Sequence, residues 1–89
     1  MTQRVRLIAD EVATPTTAGA ASSISRATCV RLYNDQAGDV IVNVSATVGA
    51  ATTNQFTMAA GRTEFLEKES TDVIFTDSAI RAAKVGFTN

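Results

Sequence analysis

The sequence has no histidine and no tryptophan, and it contains one cysteine and one proline among 89 residues. Histidine is the commonest general base near neutral pH and the commonest metal ligand, so its absence excludes serine–histidine and cysteine–histidine catalytic sites. One cysteine cannot form an internal disulfide or a structural zinc site. We expect Cys29 to be a small apolar residue within a strand, in a protein of a reducing compartment. The sequence thus predicts a protein that is not an enzyme and holds no metal or cofactor.

Charge is also scarce and evenly spread, with 8 basic and 9 acidic residues and a net charge of -1. No basic patch of the kind that binds nucleic acid or anionic lipid is visible. The first residues, MTQRVRLIADEV, lack the apolar stretch of a signal peptide, and no apolar run is long enough to span a bilayer. We therefore expect a soluble protein made in a cytosol, with no nucleic-acid partner and no membrane partner.

Two runs of alternating apolar and polar residues within 27–46 form the central stretch of the chain. Val30 and Leu32 alternate with polar neighbours in the first run, and Val40 and Val42 alternate in the second, which is the pattern of half-buried strands. The intervening residues 34–38, Asn-Asp-Gln-Ala-Gly, favour a turn. The stretch predicts a β-hairpin.

Further strands are predicted at 2–12, 55–58, 63–68 and 78–89. The charges of 63–68 suit an outer strand that resists pairing with other edges. Gly61 is expected at positive φ in a tight turn, and 73–75 is expected to form one helical turn capped by Thr71 or Asp72. About six short strands separated by turns predict an all-β fold, either a small antiparallel β-sandwich or an open barrel.

Residues 13–25, ATPTTAGAASSIS, are almost all small or polar and include Pro15. We expect such a segment to lack the large apolar side chains that would anchor a core element. We expect a single domain in which 1–25 forms a strand and an extended arm and 26–89 forms the β-sandwich core. The arm is either a flexible surface loop or a segment that orders against a neighbouring subunit.

Several carboxylates could act together. Glu64, Glu67 and Glu69 are close in sequence, and a solvated charged edge is favoured over a glycosidase-like pair or a cation site. Asp35 and Asp39 flank a turn, and turn chemistry is favoured over weak calcium binding because the ligand spacing of a calcium loop is missing.

The chain is too short for a thick core, so we expect additional stability from self-association or from docking to a larger partner. The arginines of the N-terminal half, Arg26 among them, could form bidentate contacts with acidic patches of a partner. Ordinary surface charge is the alternative. Tyr33 and Phe56 are the aromatic residues expected at an interface, with a core position as the alternative. The residues predicted at an interface are Arg4, Arg6, Val12, Pro15, Arg31, Tyr33 and Phe56.

Short strings carry a resemblance to a known class of proteins: CVRLYN at 29–34, FTMAAG at 56–61, FLEK at 65–68, DVI at 72–74 and KVGF at 84–87. Together they resemble small β-rich virion proteins of tailed phages that infect marine and cyanobacterial hosts. Such proteins occur as capsid decoration or cement proteins and as related structural modules. The resemblance spans roughly residues 28–88 and leaves the first 25 residues outside it.

The resemblance implies a multicopy structural protein on the outside of a phage head, where major capsid subunits meet and the expanded shell needs stabilising. It further implies synthesis in the host cytoplasm, the major capsid protein as partner, and a dimer or trimer of the chain itself. The alternative is a β module of a tail, fibre or head-tail connector with a binding role. Carbohydrate-binding sites usually present tryptophan or tyrosine platforms, and this chain has a single tyrosine.

Overall fold

A computed structural model describes residues 4–49, 52 and 54–88. This part of the chain contains eight strands in two antiparallel sheets and one short 3-10 turn, so the all-β prediction is confirmed with two strands more than expected. Within the described residues no helix is long and apolar enough to cross a membrane. The elements are β1 Arg4–Leu7, β2 Val12–Ala13, the 3-10 turn Ala18–Ala20, β3 Cys29–Tyr33, β4 Val40–Ser45, β5 Asn54–Met58, β6 Thr63–Glu67, β7 Val73–Thr76 and β8 Arg81–Thr88.

The strands are divided between a larger sheet in the order β1-β8-β3-β6, with β2 also beside β8, and a smaller sheet in the order β5-β4-β7. Apolar side chains of both sheets form one core cluster, which is the arrangement of a β-sandwich. The larger sheet contributes Val30 and Leu32 of its central strand, and both are fully buried. The whole cluster consists of Ile24, Ala27, Val30, Leu32, Val40, Val42, Met58, Ile74, Ile80 and Ala82.

The predicted hairpin within 27–46 is wrong. Both runs are strands, but β3 pairs with β6 and β8, whereas β4 pairs with β5 and β7 in the other sheet. The connection crosses from one sheet to the other and is built on Asn34, which is fully buried. The Asn34 Nδ2 donates to the carbonyl oxygens of Gly38 and Met58, both at 3.0 Å, and its Oδ1 accepts from the Gln36 amide at 2.9 Å. Alternation therefore identified the buried faces but not the partner strands.

A second crossing joins β5 to β6 through residues 59–62. Gly61 has φ of 76°, as expected from the turn signal. Its amide donates to the Asn34 carbonyl oxygen at 2.9 Å, so the two crossings are hydrogen-bonded to each other. The following strand, β6, lies at the edge of the larger sheet, which confirms the outer strand predicted from its charges.

Residues 73–75 form a strand and not the expected helical turn. They belong to β7, which pairs with β4 on one side. On the other side Ile74 exchanges two hydrogen bonds with Ser22, at 2.8 and 3.0 Å. Val73 and Ile74 are buried, and β-branched side chains pack well on a pleated surface.

Residues 13–25 lie against the body of the sandwich. The segment leaves β2 beside β8, passes through the 3-10 turn and reaches β7 at Ser22. Ala21 and Ile24 are buried, and Ile24 belongs to the core cluster. The expectation that this segment lacks core residues is therefore wrong, while a contact with a neighbouring subunit stays a prediction.

Candidate interaction surface

The larger sheet has one side that faces away from the core, and we call it the outer face. Val30 and Leu32 point into the core, so Arg31 and Tyr33 point away from it. Residues opposite them in neighbouring strands share this side of the sheet. The outer face includes Leu7, Cys29, Arg31, Tyr33, Thr63, Phe65, Glu67 and Arg81, together with Ala83 and Val85, which are buried.

Large apolar side chains are exposed on and beside the outer face. Leu7 is 62% exposed and Phe65 is 46% exposed. Ile8 and Val12 are also exposed at the margin of the same sheet, but their partners in β8 place them on the side that faces the core. Half-buried Arg31 lies directly opposite Phe65 in the register. Aromatic residues and arginine are the types most enriched where proteins bind each other, so the outer face has the composition of an interaction surface.

Two ion pairs hold the arginines of the outer face. The Arg31 guanidinium lies 3.3 Å from the Glu11 carboxylate, and the Arg81 guanidinium lies 3.3 Å from the Asp35 carboxylate. All four side chains are partly exposed, so each pair contributes little to stability. Asp35 therefore takes part in an ion pair across the sheet, in addition to flanking a turn. Among the described residues, no group of three potential metal ligands is found.

The corresponding side of the smaller sheet is largely covered. Asn43, Ser45 and Val73 are buried although their register places them on the side that faces away from the core. The segment that carries the 3-10 turn contributes to this cover, since the Gly49 amide donates to the Ala18 carbonyl oxygen at 2.9 Å. The outer face of the larger sheet is thus the more accessible of the two.

A groove of about 380 Å³ lies where β3 begins and β6 ends, lined by Thr28, Cys29, Glu67, Lys68 and Glu69. Its most unusual member is Lys68, which is only 8% exposed. The Lys68 ammonium donates to the carbonyl oxygens of Ala27 at 2.7 Å, Asp72 at 2.9 Å and Glu69 at 3.2 Å. These three contacts use all three ammonium protons.

Burial determines the titration of both unusual groups in the groove. Burial lowers the pKa of Lys68, Asp72 opposes this shift, and Lys84 adds to it. Burial also raises the pKa of the Cys29 thiol, and the charge of Glu67 raises it further. A thiol with a raised pKa stays protonated near neutral pH and is a weak nucleophile. Cys29 was predicted as a small apolar residue within a strand; it lies in β3 and is half-buried.

Two of the predicted interface residues, Arg31 and Tyr33, lie together on the outer face. Arg6 and Val12 are exposed in β1 and β2. Their partners in β8 lie on the side of the larger sheet that faces the core, so neither residue belongs to the outer face. Arg4 lies in β1 opposite Thr88, but its side chain is outside the described part.

Pro15 and Phe56 lie elsewhere. The Pro15 carbonyl oxygen accepts from the Thr76 amide at 2.9 Å, within the segment that borders β7. Phe56 lies in the smaller sheet and packs partly against the core. Sequence reasoning missed Leu7 and Phe65, whose exposure depends on which strands lie at the margins of the sheet.

Comparisons with protein-family models, with curated proteins and with solved structures each found no match. The resemblance to phage virion proteins therefore depends on the short strings quoted above and stays a hypothesis.

Proposed function

We propose that this chain is a structural, non-catalytic virion protein that binds the exterior of a phage head through its outer face and stabilises the shell. The observation that supports binding is the exposure of Leu7 and Phe65 beside Arg31 and Tyr33 on one side of a sheet. Only the resemblance suggests that the structure bound by this surface is a phage head. The proposed partner is the major capsid protein.

Docking through such a surface would stabilise the shell by mass action. A protein that binds the assembled shell and not its separated subunits shifts the equilibrium towards assembly in proportion to its occupancy. The exposed apolar side chains would supply about 25 cal/mol for each Å² that the contact removes from water. Many weakly bound copies suffice if each copy contacts two neighbouring capsid subunits.

The groove beside Cys29 fits a non-catalytic role better than a catalytic one. Lys68 donates to three backbone carbonyl oxygens, and the thiol of Cys29 has a raised pKa. The thiol therefore lacks the activation that a nucleophile requires. The pKa of Lys68 is lowered, but its ammonium is engaged by three backbone acceptors and, among the described residues, faces no activated partner.

Co-sedimentation with isolated heads that lack the protein tests the proposal. We expect the purified protein to bind such heads and not separated tails. Leu7→Ser and Phe65→Ser should each reduce the affinity about tenfold, which corresponds to about 1.4 kcal/mol. Ile41→Ser is the matched control, because Ile41 is 36% exposed on the smaller sheet.

Binding to tails alone would replace the head role with a tail, fibre or connector role. Binding to neither, or an equal loss for Ile41→Ser, would contradict docking through the outer face. Release of product from a substrate by the purified protein would contradict the non-catalytic role.

A further inference from the structure

The two edges of the larger sheet carry opposite charges. β1 lies at one edge, and its sequence contributes Arg4 and Arg6. β6 lies at the other edge and contributes Glu64 and Glu67. Arg6, Glu64 and Glu67 are exposed. No further strand of the described residues pairs with either edge.

The strand directions allow these two edges to meet. β1 and β3 are both antiparallel to β8, and β6 is antiparallel to β3. β1 and β6 therefore run in opposite directions. A second copy placed beside the first in the same orientation brings its β6 antiparallel to β1 of the first copy, which is the commoner way for strands to pair.

The backbone of β1 is in the correct phase for this contact. The Ile8 amide donates to the Lys84 carbonyl oxygen of β8 at 2.9 Å. Since backbone groups of successive strand residues point to opposite sides, the N–H and C=O of Leu7 point away from β8 towards the edge.

The backbone of β6 has the matching phase. The Lys68 amide donates to the Thr28 carbonyl oxygen at 3.0 Å, and the Arg62 carbonyl oxygen accepts from the Asn34 amide at 2.9 Å. Even-numbered residues of this strand therefore point towards β3. The N–H and C=O of Thr63 point away from β3 towards the edge.

Placing Leu7 of one copy opposite Thr63 of the next aligns these outward groups. The same register places Arg6 opposite Glu64 on one side of the sheet. Residues in such a pair have Cα atoms about 4.5 Å apart, so the guanidinium and the carboxylate can form an ion pair. The register is therefore favoured by backbone groups and by charge together.

Pairing of identical edges is disfavoured by the same charges. When β1 pairs with β1 so that residue 5 lies opposite Leu7, Arg6 lies opposite Arg6. When β6 pairs with β6 so that Thr63 lies opposite Phe65, Glu64 lies opposite Glu64. Like charges directly opposite each other are destabilising, so the charges disfavour these registers of identical edges and favour the pairing of unlike ones.

We propose that a second copy of this chain is the partner of these edges, and that β1 of one copy pairs with β6 of the next to continue the larger sheet. Such a contact joins different surfaces of the two copies, so it closes a ring or extends a filament. Of the two oligomers expected from the sequence, a trimeric ring is compatible with this contact and a two-fold dimer is not. The proposal concerns the purified protein and does not depend on attachment to a phage head.

Sedimentation velocity of the purified protein, measured over a range of concentrations, tests the proposal. The wild-type protein should associate. Arg6→Glu and Glu64→Arg should each weaken association at least about fivefold, because each replaces an attraction with a repulsion. The double variant should recover it. Arg26→Glu and Glu69→Arg are matched controls, because both residues are exposed and lie outside the two edge strands.

Cross-linking gives a second readout that leaves the charges in place. In a Cys29→Ala background, Leu7→Cys and Thr63→Cys should form a mixed disulfide when the two variants are combined under mild oxidation. Cα atoms about 5.5 Å apart, as expected for this pair, are within the range that a disulfide spans. Circular dichroism checks that each variant is folded. If a charge reversal does not fold, Arg6→Gln or Glu64→Gln takes its place in the sedimentation measurements.

Three results would overturn the proposal: a wild-type protein that stays monomeric at high concentration, association that the two charge reversals leave unchanged, or disulfides that form mainly between identical variants. Attachment to phage heads without self-association would leave the proposed function standing and remove only the edge contact.

Discussion

The two lateral sides of the sandwich are protected in different ways. On one side, residues 14–24, which we call the covering segment, run from the larger sheet to β7. Ser22 of this segment forms hydrogen bonds with the outer edge of β7. On the other side, β5 and β6 are the edge strands of the two sheets, and the turn 59–62 joins them. We call the first the covered side and the second the open side.

Edges with unpaired backbone groups invite pairing with other chains, and proteins either cover them or place charges on them. On the covered side, backbone hydrogen bonds and buried side chains protect the edge at β7, so this protection contributes to stability, whereas no strand of the described residues covers the edge at β1. The open side uses exposed charged side chains such as Glu64 and Glu67, which contribute little to stability and determine which partners are tolerated. Stability is therefore expected to be sensitive to substitutions on the covered side.

The largest expected effect is that of removing the core side chain of the covering segment. Ile24 is 4% exposed, and Ile24→Ala should lower the free energy of unfolding by about 2 to 4 kcal/mol, because a cavity remains. The matched control is Ile41→Ala on the outer side of the smaller sheet, which should cost less than about 1 kcal/mol. Urea unfolding followed by circular dichroism measures both. Equal losses would contradict a larger contribution of Ile24 to the core than of an exposed isoleucine.

The covering segment also shows what the sequence could not reveal. Ile24, Ser25 and Arg26 have φ of 54°, 58° and 57°, a left-handed turn without glycine. Such a conformation is costly for a β-branched residue, and both local hydrogen bonds and tertiary contacts stabilise it here. The Lys84 ammonium donates to the Ser25 carbonyl oxygen at 3.0 Å, and the Lys68 ammonium donates to the Ala27 carbonyl oxygen at 2.7 Å. Because these lysines are distant in sequence, local patterns predicted a simple arm.

Strands could be predicted far better than their partners. Alternation along β3 and β4 correctly identified buried faces, since period 2 reports which side chains leave water. The pairing depends on Asn34, whose side chain bonds Met58 across the sandwich, and no local pattern contains that contact. The prediction of a helical turn at 73–75 was wrong because this segment pairs with β4 and Ser22, which are distant in sequence.

The candidate surface was predicted only in part. Arg31 and Tyr33 were selected by residue type and lie together because they are two positions apart in one strand. Leu7 and Phe65 join them only through the strand order of the larger sheet. Phe56 was selected by the same criterion of residue type but packs partly on the core.

An intermediate effect is expected where the open side meets the covering segment. Lys68 follows β6 and donates to three carbonyl oxygens, one of them Ala27 just beyond the covering segment. Lys68→Met should cost about 1.5 to 3 kcal/mol, since buried carbonyl groups lose a charged donor. Lys84→Met removes a donor to one carbonyl oxygen and should cost less. A smaller loss for Lys68→Met than for Lys84→Met would contradict this.

The cost of Lys68→Met should also depend on pH. Burial lowers the pKa of Lys68 in the folded state below the value of the unfolded chain, about 10.4. Between these two pKa values the unfolded chain binds more protons, so the contribution of Lys68 to stability rises with pH. The difference between wild type and Lys68→Met should thus increase as the pH approaches about 10.4 and stay constant below the folded pKa. A difference that decreases over that alkaline range would contradict the lowered pKa.

The smallest effect is expected for the hydroxyl chain that fastens the covering segment to β7. The Ile80 amide donates to the Thr14 Oγ1 at 2.9 Å, the two threonine Oγ1 atoms lie 2.6 Å apart, and the Thr76 hydroxyl donates to the Ser78 carbonyl oxygen at 2.7 Å. Because the proton of Thr76 is used for Ser78, Thr14 is the donor between the two hydroxyl groups.

Thr76→Val should therefore cost about 1 to 2 kcal/mol, because the buried Thr14 hydroxyl loses its acceptor and the Ser78 carbonyl loses its donor. Thr57→Val, on the exposed side of β5, is the matched control and should change the free energy of unfolding by less than about 0.5 kcal/mol. The double variant Thr14→Val with Thr76→Val should cost less than the sum of the two single variants, since each removes the partner that the other leaves unsatisfied. Strictly additive losses would mean that the two hydroxyl groups do not act together, and that the covered side is held by its buried apolar side chains and backbone hydrogen bonds alone.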